Sequence, residues 1–487
     1  MAAFAAGSLL TACSGDYLDT VPTNKTSAEN ITSTVDGLAS AVNGTHRAMY
    51  TQYSRTSEAG ESSMNITRDM MGEDLVNSST GNGWYIADAR WISHRDENSL
   101  FLRYIFNYYY RLVLNANLIL ENIDQATGED DVLRRGVKGE ALCFRAFSHF
   151  QMVQLFGKRY VAGADNTQPG IPYRETATID PIARNSVEEV YAKINRDLDE
   201  ALGLLDTYAP ADVNHFSLKV AYGLKARVAL TQGNWNDAAA FADKAIGLAE
   251  ADGNQLMKGD DLLNGFVSAG RNKEWMWASL MKEDQTVYFY SFFAFMSWNY
   301  NSTNVRTDPK CINDLLYARI SPTDTRAQWW DPTGTLPGPT GSFTTAKYQN
   351  RKFSAQSPAT SVGDIVYMRL AEMYLIKAEA LARAGRDTEA VTALTDFAVT
   401  RDPAFATTNT GTALIDEIMV QRRIELWGEG FRFTDLKRLD LPLDRNGSNH
   451  ILSVSRIMEV PAGDKRWEFL IPQREIETNP EMVQNAL

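Results

Sequence analysis

A chain of 487 residues, 44% hydrophobic and 22% charged, carries ample apolar mass for a large core, and no long Pro/Gly/Ser linker or charge run divides it. Its formal net charge of −13 argues against nucleic acid, whose phosphates demand a basic stripe, and against docking on anionic lipid through charge alone. No apolar run reaches the ~18 residues that a bilayer-spanning helix needs.

At the N-terminus, MAAFAAGSLLTAC is small and apolar, and Leu10-Thr11-Ala12-Cys13 matches a bacterial lipobox with Cys13 as the lipidated residue. Residues 1–12 are therefore expected to be a processing signal outside the fold, although no Lys or Arg precedes the apolar run. Cys143 and Cys311 read as free structural thiols, with a disulfide left open. Helices are predicted at 31–52 and 98–124. Between them lies a Gly/Asn/Ser-rich loop holding Gly81-Asn82-Gly83-Trp84-Tyr85 and Trp91. A Trp in a polar loop costs stability unless it packs or binds something, which makes Trp84, Tyr85 and Trp91 candidate ligand contacts.

A long helix follows through Glu140-Ala141-Leu142 and Arg145-Ala146 to Leu155-Phe156-Gly157, where His149, between Phe147 and Phe150, reads as a packing histidine. Ser186 before Val187, with Glu189 three residues on, is a capping box that opens a helix over 187–204. The segment 219–230 runs through Gln232-Gly233-Asn234-Trp235 into a second helix whose Ala238, Ala242, Ala245 and Ala249 share one face. Such small residues let helices approach closely, and the unit reads as a TPR-type hairpin.

Residues 255–365 break this pattern, with weak helical periodicity and many Gly and Pro. Ten aromatics crowd into 275–300. Glu274-Trp275-Met276-Trp277 alternates like a strand and places both Trp on one packed side. Tyr290, Trp298, Asn299 and Tyr300 sit among Ser and Asn in a context no amphipathic period explains. Exposed rings beside amides suit sugar, because pyranose C–H faces pack on aromatics while hydroxyls bond to the polar rim. For each of these residues, burial and ligand contact both stay open. Trp329 and Trp330 follow Asp324-Thr325-Arg326, and at least one is expected to be buried.

Helical periodicity returns at 367–384, with Ala371, Leu375, Ala378 and Ala382 on one face, and a Gly385 turn leads into 388–399. A helix over 414–427 ends at Gly428 and Gly430, where positive φ is expected. Glu425 and Glu429 fall one turn apart and need cations, with Arg422 and Arg432 three residues outside each. A catalytic carboxylate pair and a structural ion network are the two readings. The second is preferred, because nothing nearby completes a catalytic site. The five histidines are isolated in sequence, and HExxH, G-x-S-x-G, Walker and G-x-G-x-x-G motifs are absent. No cofactor and no enzymatic activity are expected.

This C-terminal segment resembles the signature of the SusD/RagB family of outer-membrane nutrient-binding lipoproteins. It reads Gln421-Arg422-Arg423-Ile424-Glu425-Leu426, Glu429-Gly430-Phe431-Arg432, then Asp435-Leu436 and Arg438, with Gln421 replacing the usual acid. The 140–157 motif, Arg369-Leu370-Ala371-Glu372 with Ala378-Glu379-Ala380, and Ile471-Pro472-Gln473 with Glu475-Ile476 and Asn479 extend the likeness along the chain. The resemblance implies a mostly α fold: a TPR-like hairpin scaffold with long irregular insertions and a few short strands. It implies one SusD-like body over 13–487, with scaffold at about 30–255 and 365–440 and a loop-rich insertion at about 256–364. It further implies a lipid-anchored cell-surface protein that binds oligosaccharide, or alternatively oligopeptide, and passes it to a SusC-like TonB-dependent transporter. Family ligand contacts come from loops in roughly the regions of Trp84 and Trp298, so this carry-over is regional. A glycoside hydrolase and a periplasmic TPR adaptor are the competing classes.

Overall fold

The computed structural model describes residues 31–285, 289–340 and 342–487. Cys13, the signal segment before it and Tyr288 lie outside the described residues. The helices expected from periodicity form close to their expected ends: α1 Val35–Ala48, α3 Leu100–Asn122, α4 Asp131–Phe156, α5 Val187–Leu204, α6 Leu218–Gln232, α7 Trp235–Ala251, α10 Leu370–Arg383, α11 Asp387–Ala398 and α12 Gly411–Glu425. Ser186 and Glu189 form the expected reciprocal capping box at the start of α5. Consecutive helices α3 to α7 pack side by side, α10 continues the stack on α7, and α11 packs on α10. The 118 residues between α7 and α10, residues 252–369, are thus looped out of a continuous helical scaffold. One apolar core runs through it, from Val35 and Leu38 to Phe469 and Ile471.

One helix was not legible. Gly60–Met70, α2, has the sequence GESSMNITRDM, and every residue in it is buried. It has no apolar stripe because it is enclosed on all sides. Its main charged group is bonded within the helix and to α3: Arg68 donates to Glu61 at 2.8 Å, to Asn65 at 2.9 Å and to the Tyr109 hydroxyl at 2.7 Å, while the buried Arg68 Nε and Thr67 Oγ1 have no partner. Two further short helices, α8 Phe292–Met296 and α9 Thr303–Thr307, lie in the insertion, and α13 Arg432–Arg438 follows the signature glycines.

The strands are short. β1 Leu75–Asn77, β3 Lys310–Ile312, β5 Gln349–Asn350 and β4 Trp330–Asp331 form an antiparallel sheet in that order. β2 Trp275–Ser279 pairs antiparallel with β6 Ile365–Arg369. A register irregularity between Trp275 and Trp277 interrupts the simple alternation, and the whole strand is buried on both faces. Trp329 and Trp330 are both buried. Cys143 and Cys311 are free and buried.

Candidate functional site

The signature helix end is a buried ion cluster. Glu425 Oε1 accepts from Arg369 at 2.5 Å and Arg401 at 2.7 Å, and its Oε2 accepts from Arg326 at 2.9 Å. Glu429 is held by Arg369 at 2.8 Å and by Lys352 at 2.6 Å. Glu274 on the β2 side closes the set with Arg369 at 3.0 Å and Arg401 at 2.6 Å. Burial opposes the charged carboxylate, yet Arg401, Arg369 and Arg326 hold the Glu425 carboxyl well below its usual range. The cations expected from sequence, Arg422 and Arg432, serve other acids: Arg422 binds Asp435 at 2.8 Å and Arg432 binds Glu73 through Nε at 2.9 Å. Glu425 is fully buried and Glu429 is 8% exposed, and both carboxylates are held by cations, the ion-network reading of this pair. Gly428 and Gly430 do take positive φ, 80° and 88°. A Cβ on Gly430 would stand 2.6 Å from the Asn65 Cα, so this turn admits only glycine against α2.

The seven residues read as ligand contacts divide by burial. Tyr85 and Trp91 are 6% and 3% exposed. The Tyr85 hydroxyl donates to Ser63 Oγ at 3.1 Å, and its ring meets Phe295 edge-on at 4.6 Å. Trp91 Nε1 donates to the Met71 carbonyl at 3.0 Å, and its ring meets Trp467 at 4.8 Å. Both hold left-handed backbone, φ 57° and 55°, a conformation that costs about 1–3 kcal/mol and persists where packing fixes it. Asn299 is buried, and its amide bridges the Ala355 backbone in both directions, at 2.7 and 2.9 Å. Tyr300 is buried as well. These four are structural in this conformation: their rings and amide face protein, because the loops carrying them fold onto the core.

Trp84, Tyr290 and Trp298 remain half-buried. Trp298 is fixed at its edge by Nε1 donating to Ser354 Oγ at 2.7 Å, and the Arg351 guanidinium lies 4.3 Å from its ring centroid. Neighbouring Phe289 is 55% exposed. The two loop regions are tied together. Ser79 N–H donates to Asp308 Oδ1 at 2.9 Å and Ser79 Oγ donates to the Thr307 carbonyl at 2.8 Å, while Tyr85 packs on Phe295. Two segments separated by some two hundred positions are therefore joined at Ser79–Asp308 and at Tyr85–Phe295.

Sequence spacing missed a polar cluster. Glu140 of α4 has His46 Nε2 at 2.8 Å, His215 Nδ1 at 2.9 Å, the Tyr208 hydroxyl at 2.9 Å and the Phe216 N–H at 3.0 Å. Burial works against the charge, but the His215 and His46 bonds draw the Glu140 carboxyl down to about 2. Among the described residues this is the set whose ligand atoms lie close enough for a metal, within 4.8 Å. Each carboxylate oxygen already accepts at least two hydrogen bonds, so the arrangement is complete as a hydrogen-bonded joint between α1, α4 and the segment entering α6. His149 is a packing histidine: it stacks on Tyr173 at 3.8 Å, and its Nδ1 lies 2.8 Å from the Arg145 carbonyl.

Comparison with known proteins supports what the fold and the signature cluster suggest. Residues 271–487 match the SusD family, and residues 16–230 match a SusD-like family described as starch-binding and associating with the outer membrane. The chain belongs to the SusD family. A SusD-like carbohydrate binding protein from Bacteroides vulgatus superposes with a TM-score of 0.80 at 24% identity, over 93% of this chain and 98% of that one. A SusD superfamily protein from Bacteroides thetaiotaomicron gives 0.77 at 22% identity, over 93% and 100%. The SusD-like protein P38 of Formosa agariphila is 30% identical over 139 residues, a stretch that spans only 27% of this chain and 26% of that relative. The mostly helical architecture is thus that of SusD superfamily proteins. Among the described residues, no helix is long and apolar enough to cross a membrane.

Proposed function

We propose that this SusD-like protein is a cell-surface lipoprotein, anchored through Cys13, that captures oligosaccharide and delivers it to a SusC-like TonB-dependent outer-membrane transporter. The observation that carries the reading is the set of half-buried rings Trp84, Tyr290 and Trp298, borne on loops that the Ser79–Asp308 and Tyr85–Phe295 contacts hold together. Half-buried aromatics on a fixed frame offer ring faces without a folding step on binding, and the neighbouring Arg351 and the Ser/Asn-rich loops supply hydrogen-bonding groups. Family membership and the carbohydrate-binding SusD relative support the substrate class. Recognition is non-covalent in this reading and no bond is broken, since the acid pair that hydrolysis would need is enclosed by four cations. A shallow aromatic site gives modest affinity, on the order of micromolar to millimolar, or about 4–8 kcal/mol.

The test is native affinity electrophoresis of the soluble protein, started after Cys13, against plant, host and microbial polysaccharides. Retardation by one glycan class, weakened in Trp298→Ala, is the expected result. Absence of retardation by every glycan, with retention of oligopeptides instead, would replace the sugar with a peptide. Cys13→Ala is expected to abolish fatty-acid labelling of the full chain; unchanged labelling would remove the anchor from the reading.

A further inference from the structure

A second aromatic cleft, of about 580 Å³, lies along α3, and neither Trp84, Tyr290 nor Trp298 lines it. Tyr104, Tyr108 and Arg111 fall at i, i+4 and i+7 and so share one face of that helix. Tyr104 and Tyr108 stack at 5.8 Å. Tyr53, from the connection between α1 and α2, leans on Tyr104 at 5.9 Å but keeps 56% of its surface exposed. The Arg111 guanidinium stands 5.7 Å from the Tyr53 ring centroid, and that of Arg174, also lining the cleft, stands 5.9 Å from that of Tyr110. A smaller cleft of about 180 Å³ shares Tyr53 and Asn107 with the first and adds Arg103 and Arg474.

The charge of this place is contrary to the rest of the protein. In a chain of net charge −13, four arginines line the two clefts against a single carboxylate, Glu475. None of the four forms an ion pair among the described residues, whereas the signature arginines are locked to acids. The buried Arg111 Nε has no hydrogen-bond partner, a condition that costs free energy and calls for an explanation. An incoming anion would supply what Arg111 lacks, and the open Tyr53 face would supply a platform for a ring. We infer that this cleft is a separate saccharide site that selects sugar units bearing carboxylate or sulfate. The acidic group is taken by Arg111 and Arg174, the sugar face by Tyr53, and the hydroxyls by exposed Asn107. The volume falls within the range of about 300–1,000 Å³ usual for small-ligand pockets. The inference rests on this cleft and not on the Trp84 and Trp298 region.

The experiment is isothermal titration of the soluble protein with a galacturonate oligosaccharide, a sulfated galactose oligosaccharide, their neutral galactose counterpart and a short polyglutamate. At least one acidic sugar is expected to bind more than tenfold tighter than the neutral one, with affinity falling as salt rises. The carboxylate and sulfate arms show which group the site takes. Arg111→Gln and Tyr53→Ala should each weaken acidic-sugar binding at least tenfold, while Trp84→Ala leaves it unchanged. Tyr53 is exposed, so its variant keeps the test alive even if Arg111→Gln fails to fold. Binding of neither acidic sugar, wild-type affinity in Tyr53→Ala, or polyglutamate binding as tight as the uronate would each overturn the proposal. A neutral glycan dependent on Trp298 would leave the function proposed above standing in all three cases.

Discussion

The end of α12 and the aromatic loops make opposite use of their sequence. The signature around Glu425 and Glu429 is dense in recognisable pattern, and the structure seals it: Glu274, Glu425, Arg326, Arg369 and Arg401 are fully buried. The loops of Trp84 and Trp298 carry no motif, yet they are where large rings stand half-open. The strongest pattern in this chain therefore records what joins α12, β2, β6 and the insertion, and the loops proposed to meet ligand are free of pattern, as expected where only ring area and loop placement matter.

Removing one acid from the sealed region should produce the largest effect. Glu425→Ala leaves Arg326, Arg369 and Arg401 short of a shared partner in a fully buried place. Breaking a buried pair from one side costs about 3–5 kcal/mol. Denaturant unfolding should show a loss of this size, and a loss under about 1 kcal/mol would mean that water reaches the cluster. Trp91→Ala belongs to the same side of the comparison although it lies on the Trp84 loop. Its ring is enclosed by Trp467, His94 and Phe433, so truncation should cost about 3–5 kcal/mol without changing glycan affinity in the protein that remains folded.

Acid separates the two regions without mutation. Burial pushes His94, His149 and His450 down to about 3, against about 6.5 in an unfolded chain. Between these values the unfolded state binds more protons, so stability falls as pH falls below about 6.5. Glu140, drawn down to about 2, adds stability that is complete above its unfolded value of about 4.3 and is lost as pH drops toward 2. Burial pushes Asp69 and Asp88 up to about 8 and about 7, which acts in the opposite sense between about pH 4 and those values, so Tm should decline only slowly from pH 6.5 and steeply below pH 4.5, while glycan affinity stays flat from pH 7 to pH 5. A flat Tm would show the histidines to be in contact with water.

What could be read in advance follows the same division. The long helices were legible because each presents an apolar face at the helical period, and α5 also announced its start through Ser186 and Glu189. The α2 helix was not, because a segment enclosed on all sides needs no stripe and can pair Arg68 with Asn65 and Glu61 one and two turns away. The cluster at Glu425 was legible as an ion network but not in its partners, which come from 24, 56 and 99 residues away. His46, Glu140 and His215 are similarly joined only by the folding of α1 onto α4. For the aromatic loops, composition located the rings. It could not separate Tyr85 from Trp84, neighbours in sequence whose side chains end in different surroundings, because that depends on a left-handed residue at Tyr85.

The smallest expected effect on stability is the one that decides the comparison. Trp84 is half-buried against the core, and its backbone N–H makes only a long 3.4 Å bond to Asn82 Oδ1. Truncating it removes a ring that is partly in water already, so Trp84→Ala should cost about 1 kcal/mol of stability. If the ring faces glycan, the same change should weaken binding about tenfold, equivalent to about 1.4 kcal/mol. Trp91→Ala on the same loop should behave the other way round, with large destabilisation and unchanged affinity. The pair of variants, measured by unfolding and by affinity electrophoresis, therefore asks whether exposure alone sorts structural rings from ligand rings. Equal losses of stability in both, with affinity unchanged, would assign Trp84 to the core and leave Tyr290 and Trp298 to carry the sugar.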